Sequence, residues 1–398
     1  MKTWTNGDVD GGQILTDNDH LYPIHINELR TKANLDAILN VKDYGAVGDG
    51  NHDDTAAIQS AVDIADEYAR TTAYSCVIYF PRGTYLISGT ITSHPSTNAI
   101  GPTFIGDGKN VTTIKTNHAT ANMFNIATDY YGDFYNLNFT CTDSRTSGYA
   151  IYYSGGPATS MTGQTTIRDC NFYGNMINGI GMLNNYNFTI DNVTMTCTGG
   201  VGIDLANPIN ADTGGGFIFN CTLTGYNGGT GILSKIGGVH LVNNSIQFWA
   251  NGFTFDLCDG NTGIIMVQDN QFEGYDNYGI SLIRSAGTHI GSRIFIQNNE
   301  LWSPSPITGI WLANGGYSDI MITGNLIDGD VSDYGINIES SLTKSIISGN
   351  SIHHSNVGLN IVAEASYIYY GPNAFYDCNY NVVNNSSTSG SYVTKMTE

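Results

Sequence analysis

A repeat that runs from Ile167 to Val362 constrains this chain more than anything else in it. One copy, Ile296 to Leu312, reads IQNNELWSPSPITGIWL. It has two halves: an I-x-x-N-x-L segment (Ile296, Asn299, Leu301) and, after a loop, a G-I-x-L segment (Gly309, Ile310, Leu312). The first half recurs as Ile167/Cys170/Phe172, Ile190/Val193/Met195, Ile218/Cys221/Leu223, Leu241/Asn244/Ile246, Val267/Asn270/Phe272, Ile322/Asn325/Ile327 and Ile347/Asn350/Ile352. The second recurs at Gly179, Gly202, Gly231, Gly252, Gly279, Gly335 and Gly358, each followed by an apolar residue. Seven steps separate Cys170 from Asn350, giving a period of about 26, inside the window of solenoid repeats. The apolar residues alternate with period 2, and glycine and asparagine are assigned to the corners, so each unit reads as strand and turn rather than helix.

Stacked in register, the central position becomes a column of Asn244, Asn270, Asn299, Asn325, Asn350 and Asn373, with Cys170, Val193 and Cys221 filling it nearer the start. Asparagine tolerates a left-handed backbone, and its amide can hydrogen-bond from turn to turn at roughly 4.8 Å. The expected fold is all-β, a single-stranded parallel β-helix. A solenoid grows by repetition, so 398 residues need not divide into two globular domains.

The stretch before the repeats reads VKDYGAVGDGNHDDTAAIQSAV and then VIYFPRGTYLIS. Asp54 is the expected N-cap of a helix whose apolar face is Ile58, Ala61, Val62 and Ala65. A strand follows, broken by the turn Pro81-Arg82-Gly83. This segment is expected to close the open end of the coil. Asp49, Asp53 and Asp54 invite a calcium loop, but glycine and threonine around them favour turn and cap roles. A second short helix is expected from Asn27 to Leu39, as a cap or a docking element.

The segment YGAVGDG-x-x-DDTAAIQ followed by FPRGTY resembles the start of the pectate-lyase-3 superfamily domain, found in glycoside hydrolase family 55-like enzymes and bacteriophage tailspike depolymerases. With the repeats, the resemblance covers roughly residues 41 to 380. It implies a right-handed parallel β-helix with an N-terminal capping helix. It divides the chain into an N-terminal arm or capping segment (1–40), the β-helix (41–383) and a C-terminal tail (384–398). The opening Trp4-Thr5-Asn6-Gly7-Asp8 is similar to the start of some phage tail proteins. By the same resemblance the chain is expected in a virion tail, as a homotrimer, contacting other tail proteins through its N-terminal segment and a cell-surface polysaccharide through its flank.

Composition narrows the partners. Glycine (48) and tyrosine (25) are abundant while only 13% of residues are charged, which describes an uncharged, aromatic exterior suited to sugars. A net charge of -20 excludes nucleic acid and anionic membrane as partners, because phosphate binding depends on clustered Lys and Arg. Between Ile167 and Val362 the basic residues are Arg168, Lys235, Arg284, Arg293 and Lys344, too few for a basic face. Seven cysteines without a C-x-x-C pair read as buried thiols, not a zinc site or a disulfide framework. No metal and no cofactor is expected, no run approaches a membrane span, and the N-terminus carries no signal-peptide h-region.

Glycoside hydrolysis usually requires two carboxyl groups at a separation that sets the stereochemical outcome. The outward position one residue past the first apolar residue after the ladder reads Tyr173, Thr196, Thr224, Gln247, Glu273, Trp302, Asp328 and His353 along the coil. Glu273 and Asp328 are the candidate catalytic pair, two turns and roughly 9 to 10 Å apart, with Trp302 between them as a stacking surface for a sugar ring. Two unrelated surface acids would give the same column. Trp311, His353, Asp256 and Glu339 are further candidates for substrate binding, the last two in a column with Asp204 and Trp311 beyond the strand glycine. A lyase would need cations for a uronate carboxylate, and the few basic residues rank hydrolysis above elimination. Patterns such as D-P-H of alginate epimerases are absent. A non-catalytic receptor-binding β-helix and a free carbohydrate enzyme are the alternatives.

Overall fold

Strands that alternate apolar and polar residues, each too short to bury its apolar face alone, are stable when the chain coils and every turn hydrogen-bonds to the next. The structure is a computed structural model that describes residues 38–94, 100–155, 162–182, 185–205, 215–256, 263–284, 293–305, 307–313, 316–361, 365–386 and 393–395. It is a right-handed parallel β-helix. Each turn has three strand positions, seen in the quoted repeat as a leading strand Ile294–Gln297, a second strand Glu300–Ser303 and a third strand Thr308–Leu312. Leading strands stack into one long parallel sheet, and second and third strands form another. A small sheet of Ile100–Gly101, Tyr130–Tyr131, Thr162–Gly163 and Asn185–Tyr186 joins the early turns.

The register follows the repeat. Ile167, Ile190, Ile218, Leu241, Val267, Ile296, Ile322 and Ile347 are successive partners in the leading sheet. Phe172, Met195, Leu223, Ile246, Phe272, Leu301, Ile327, Ile352 and Phe375 are successive partners in the second-strand sheet. Those of both columns up to Ile352 are at most 1% exposed, so one apolar core runs the length of the coil.

The asparagine column is a closed hydrogen-bond system. In Asn270 the amide oxygen accepts from the backbone N–H and the Nδ2 of Asn244 (3.0 and 2.9 Å), while its own Nδ2 donates to the Leu241 carbonyl and to Asn299 Oδ1 (both 3.0 Å). The same pattern carries through Asn299, Asn325 and Asn350 to Asn373. At the start of the column Cys221 substitutes by lying against the carbonyls of Ile190 and Phe219. Burial pushes the thiols of Cys170, Cys197 and Cys221 up to about 12. Cys258 lies outside the described residues.

Two expectations about the corners are corrected. The left-handed residue is not the ladder asparagine but the one before it: Asp169, Asn192, Asn220, Asn243, Asp269, Asn298, Gly324 and Gly349, with φ between 52 and 71°. That residue makes the bend, and the bend turns the next amide inward. The glycines of the G-I-x-L half are likewise not corner residues, since they lie within strands. A Cβ on Gly252 would stand 2.5 Å from the Gly279 carbonyl oxygen, and on Gly309 2.6 Å from Ile327 Cγ2. They are glycine because the next turn and a core side chain occupy the space.

At the N-terminal end the helix Thr55–Thr72 buries Ile58, Ala61, Val62, Ala65 and Ala69 against the first turns. Asp54 precedes it, but its side chain does not cap it. The carboxylate is fully buried and accepts instead from the backbone N–H of Val47 (2.6 Å) and Gly48 (3.1 Å). Gly48 has φ 69°, and a Cβ there would meet the Tyr85 ring at 2.9 Å. The YGAVGDG and FPRGTY segments therefore pack on one another around Asp54. Asp49 accepts from the N–H groups of Asn51 and His52, and Asp53 from Thr55 and Ser88, which holds the Asp53 carboxyl at about 2.

The expected helix Asn27 to Leu39 is corrected at its end: Ile38–Asn40 is a strand paired with Val77–Tyr79. Two adjacent apolar residues show neither period, and the pairing with the neighbouring strand decides. The rest of that segment, with the Trp4 to Asp8 motif, lies outside the described residues. At the other end Ala374–Tyr376 and Tyr380–Asn384 add strands, and Val393–Lys395 pairs with Ala365–Tyr370, so coil pairing continues beyond residue 383.

Asn299→Ala leaves two donors of Asn270 and the carbonyl of Val267 without partners, and is expected to cost about 3 kcal/mol or more. Asn298→Gly, at a left-handed position, should stay within about 1 kcal/mol of wild type. Thermal unfolding of the two variants checks the distinction. A pH effect follows from Asp66, whose carboxyl lies between Ser93 Oγ (2.7 Å) and the His94 N–H (2.8 Å), where burial raises it to about 6. The folded state then holds the proton more tightly than the unfolded chain. The stabilisation, about 2–3 kcal/mol at most, is complete below pH ~4 and lost as pH rises through ~6. Melting scans from pH ~4 to ~7 should show falling stability with a shallower slope in Asp66→Asn, and Asp133, also raised to about 6, sustains the remainder.

Candidate functional site

Because side chains alternate across a strand, the residues either side of each second-strand core position point outward. Register then stacks Gln247, Glu273, Trp302, Asp328, His353 and Tyr376 in one row, each hydrogen-bonded neighbour of the next turn. The structure therefore brings Glu273, Trp302 and Asp328 together as adjacent turns of one face. Trp302 is 40% exposed, and Phe248, Tyr376 and Tyr173 are exposed on the same flank. The Gln247 amide donates to Glu273 Oε2 at 3.3 Å.

The histidine that meets Asp328 is His354, whose Nδ1 lies 2.8 Å from Asp328 Oδ1. His353, the residue chosen from the column, turns instead to Ser351 Oγ (2.8 Å) and lies 4.6 Å from the Tyr376 ring. His354 has φ 51°, so a local bend swings it onto the row from a position that strand alternation alone would not indicate. The adjoining outward positions Thr222, Ser245, Gln271 and Glu300 line a polar trough of about 450 Å³ with Asn220, Asn243, Asp269 and Asn298. Row and trough form a continuous surface of amides, hydroxyls and carboxylates beside an exposed indole.

The second expected column separates into two. Asp204 and Trp311 share a line that runs Gly181, Asp204, Leu233, Thr254, Ser281, Trp311 and Asn337. Asp256 instead pairs with Ile283, two residues further along. Counting from the glycine had merged offsets of two and four, which share a face but not a register line. Trp311 stacks on Tyr278 with ring centres 4.3 Å apart and donates through Nε1 to Glu339 Oε2 at 3.0 Å, while Asn337 donates to Glu339 Oε1. Asp256 is only 5% exposed and lies 3.8 Å from Lys235 Nζ. Asp204 accepts from the Tyr149 hydroxyl at 2.6 Å, and burial raises that tyrosine above its ordinary value. Trp311, Tyr278, Asn337 and Glu339 thus form one stacked and hydrogen-bonded cluster, and a buried Asp256 lies against a half-exposed Lys235.

Trp249 is a core residue, fully buried with Nε1 on the Leu223 carbonyl at 3.2 Å. His240 packs against the Phe217 ring, and burial lowers it below the ordinary histidine value. His289 lies outside the described residues. Among the described residues no group of three His, Cys, Asp or Glu side chains converges as a metal would require, and no helix is long and apolar enough to cross a membrane.

Comparison with known proteins agrees with this architecture. The A-module of an Azotobacter vinelandii mannuronan C-5 epimerase superposes with a TM-score of 0.64 at 19% identity, over 88% of this chain and 100% of that one. The Dettilon tailspike protein superposes with a TM-score of 0.55 at 15% identity, over 86% and 69%. Such identities show the fold alone. In sequence, the plasmin and fibronectin-binding protein A of Streptococcus pneumoniae is 28% identical over 351 residues, 83% of this chain and 43% of that protein. The chain spans less than half the length of that relative. Residues 219–398 also match the model of NosD, a periplasmic copper-binding protein. The rhamnogalacturonase A/epimerase, pectate lyase-like model matches residues 38–281, and the chain belongs to that family.

Proposed function

We propose that this chain binds and depolymerises a cell-surface polysaccharide by hydrolysis, as the β-helix of a tailspike-type virion protein that assembles as a homotrimer and acts outside the host cell. The observation that carries the reading is the row in which an exposed Trp302 stands between Glu273 and Asp328, beside a polar trough. An indole face stacks on the apolar face of a sugar ring, and amides and hydroxyls alongside match its hydroxyl groups. Membership of the rhamnogalacturonase A/epimerase, pectate lyase-like family supports the substrate class.

Two turns of the coil separate the carboxyl groups by roughly 9 to 10 Å, near the upper limit for an inverting pair with a water between base and sugar. Asp328 is the base: it takes a proton from that water, and His354 holds the carboxylate in place. Glu273, oriented by Gln247, is the acid that protonates the leaving glycosidic oxygen as the bond breaks. Trp311 and Glu339 supply a further sugar contact on the neighbouring face, and His353 with Tyr376 extends the row.

Incubation with polysaccharide from candidate hosts, read by size-exclusion chromatography and mass spectrometry, tests the reading. Shortened chains with saturated ends are expected, and both Glu273→Gln and Asp328→Asn should reduce cleavage by about 10³-fold or more while leaving binding within a few-fold. Unsaturated uronate ends would make the enzyme a lyase, and glycan bound but intact would make it a receptor-binding spike. Trp302→Ala is expected to weaken glycan binding by about 10-fold or more, the loss of a stacking contact of ~1.5 kcal/mol. Isothermal titration with the same glycan measures it, and unchanged affinity would remove Trp302 from the site.

A further inference from the structure

Asparagine followed by glycine is the residue pair at which a backbone most readily reacts with its own side chain. The glycine nitrogen attacks the asparagine Cγ, and no Cβ on the glycine obstructs the approach. The chain holds five such pairs, at Asn6, Asn178, Asn227, Asn251 and Asn314. Three of them, Asn178-Gly179, Asn227-Gly228 and Asn251-Gly252, lie among the described residues, and the coil treats them differently.

Asn178 and Asn251 open the third strands Asn178–Met182 and Asn251–Asp256, and the glycine of each pair is buried within its strand. The Asn178 amide oxygen accepts from the Val201 N–H at 2.8 Å, and its Nδ2 donates to the Gly148 carbonyl at 3.2 Å. Asn251 Nδ2 lies 3.4 Å from Thr230 Oγ1. A Cβ on Gly179 would stand 2.3 Å from the Met195 side chain, and one on Gly252 2.5 Å from the Gly279 carbonyl oxygen. Neither pair has room for the amide to swing over its own backbone.

Asn227-Gly228 is unlike them at each of these points. It makes the corner between the second strand Thr222–Gly225 and the third strand Thr230–Ser234. Asn227 is exposed beside an equally exposed Tyr226. Neither its amide nor the Gly228 N–H has a hydrogen-bond partner among the described residues. A Cβ built on Gly228 meets nothing within 4 Å. Asn227, Gly228 and Gly229 are left-handed, with φ of 67, 91 and 85°. Tight contact with the preceding turn falls to Gly229, whose Cβ would stand 2.3 Å from the Gly200 carbonyl oxygen, and not to the reactive pair.

We propose that Asn227 is a self-modification site, which converts to aspartate and isoaspartate through a cyclic imide with water as the co-reactant. The Gly228 nitrogen bonds to Asn227 Cγ, the Cγ–Nδ2 bond breaks, and ammonia leaves with the proton that the Gly228 nitrogen gives up. Water then adds across one of the two imide C–N bonds. Opening at Cγ leaves the ordinary backbone with an aspartate, and opening at the main-chain carbonyl routes the backbone through Cβ as isoaspartate. Either product sets a new carboxylate in the corner that follows Thr224, the partner of Gln247 in the outward row. Hydroxide draws the proton from Gly228, so conversion quickens as pH rises. This inference does not rest on the glycan reading.

Ageing the full chain in mildly alkaline buffer made with heavy-oxygen water tests it, with peptide mapping by mass spectrometry that separates aspartate from isoaspartate. In the folded chain Asn227 is expected to take up one heavy oxygen at close to its rate in guanidinium-unfolded chain. Asn178 and Asn251 should convert about 10-fold or more slower folded than unfolded, because they react only through local opening of a strand. Asn227→Gly, which suits the left-handed backbone, should remove the modified species from this corner and leave thermal unfolding unchanged. A folded chain that keeps the Asn227 amide overturns the proposal, and so does conversion of Asn178 or Asn251 at the Asn227 rate.

Discussion

Everything in this molecule depends on one constraint: each turn must present its backbone and its amide to the next at the same height. The buried asparagine column shows how strictly that holds, because every amide from Asn244 to Asn350 uses both its hydrogens and, from Asn270 onward, its oxygen twice. An unpaired amide in that interior would cost about 1–3 kcal/mol, so a turn cannot slip by one residue without breaking the column as well as exposing its core side chains. The strand glycines impose the same discipline on the opposite side of the coil. There the next turn approaches so closely that no Cβ fits.

Rigid register converts sequence spacing into surface geometry. Once Phe272, Leu301 and Ile327 are stacked in the core, Glu273, Trp302 and Asp328 have no choice but to stack outside it. The same arithmetic places Phe295 between Met266 and Met321 on another face. A β-helix therefore offers distinct flanks, one polar with aromatic residues and one apolar, without needing separate domains.

Much of this was legible in the sequence. The period, the alternation and the asparagines named the coil, its ladder and the row Gln247 to His353 before any coordinates. Where the reading failed, the deciding force was local and three-dimensional. Asp54 looks like a helix cap by residue type, yet the backbone N–H groups of Val47 and Gly48 compete successfully for its carboxylate. Strand alternation points to His353, whereas His354 reaches Asp328 because its backbone bends at φ 51°. The column of Asp204, Asp256, Trp311 and Glu339 separates into two because offsets of two and four from the strand glycine share a face but not a register line.

The central claim is that the second-strand row beside the ladder is where the polysaccharide lies. Hydrogen–deuterium exchange with and without a glycan that the protein binds tests it most directly. The account predicts slowed exchange in peptides covering Ser245–Gln247, Gln271–Glu273, Glu300–Ser303 and the start of Leu326–Ile338, with the leading sheet unchanged by glycan. Protection confined to Tyr278–Ile283 and Thr308–Leu312 would contradict it, moving the site to the third-strand face around Trp311 and leaving Glu273 and Asp328 as surface acids.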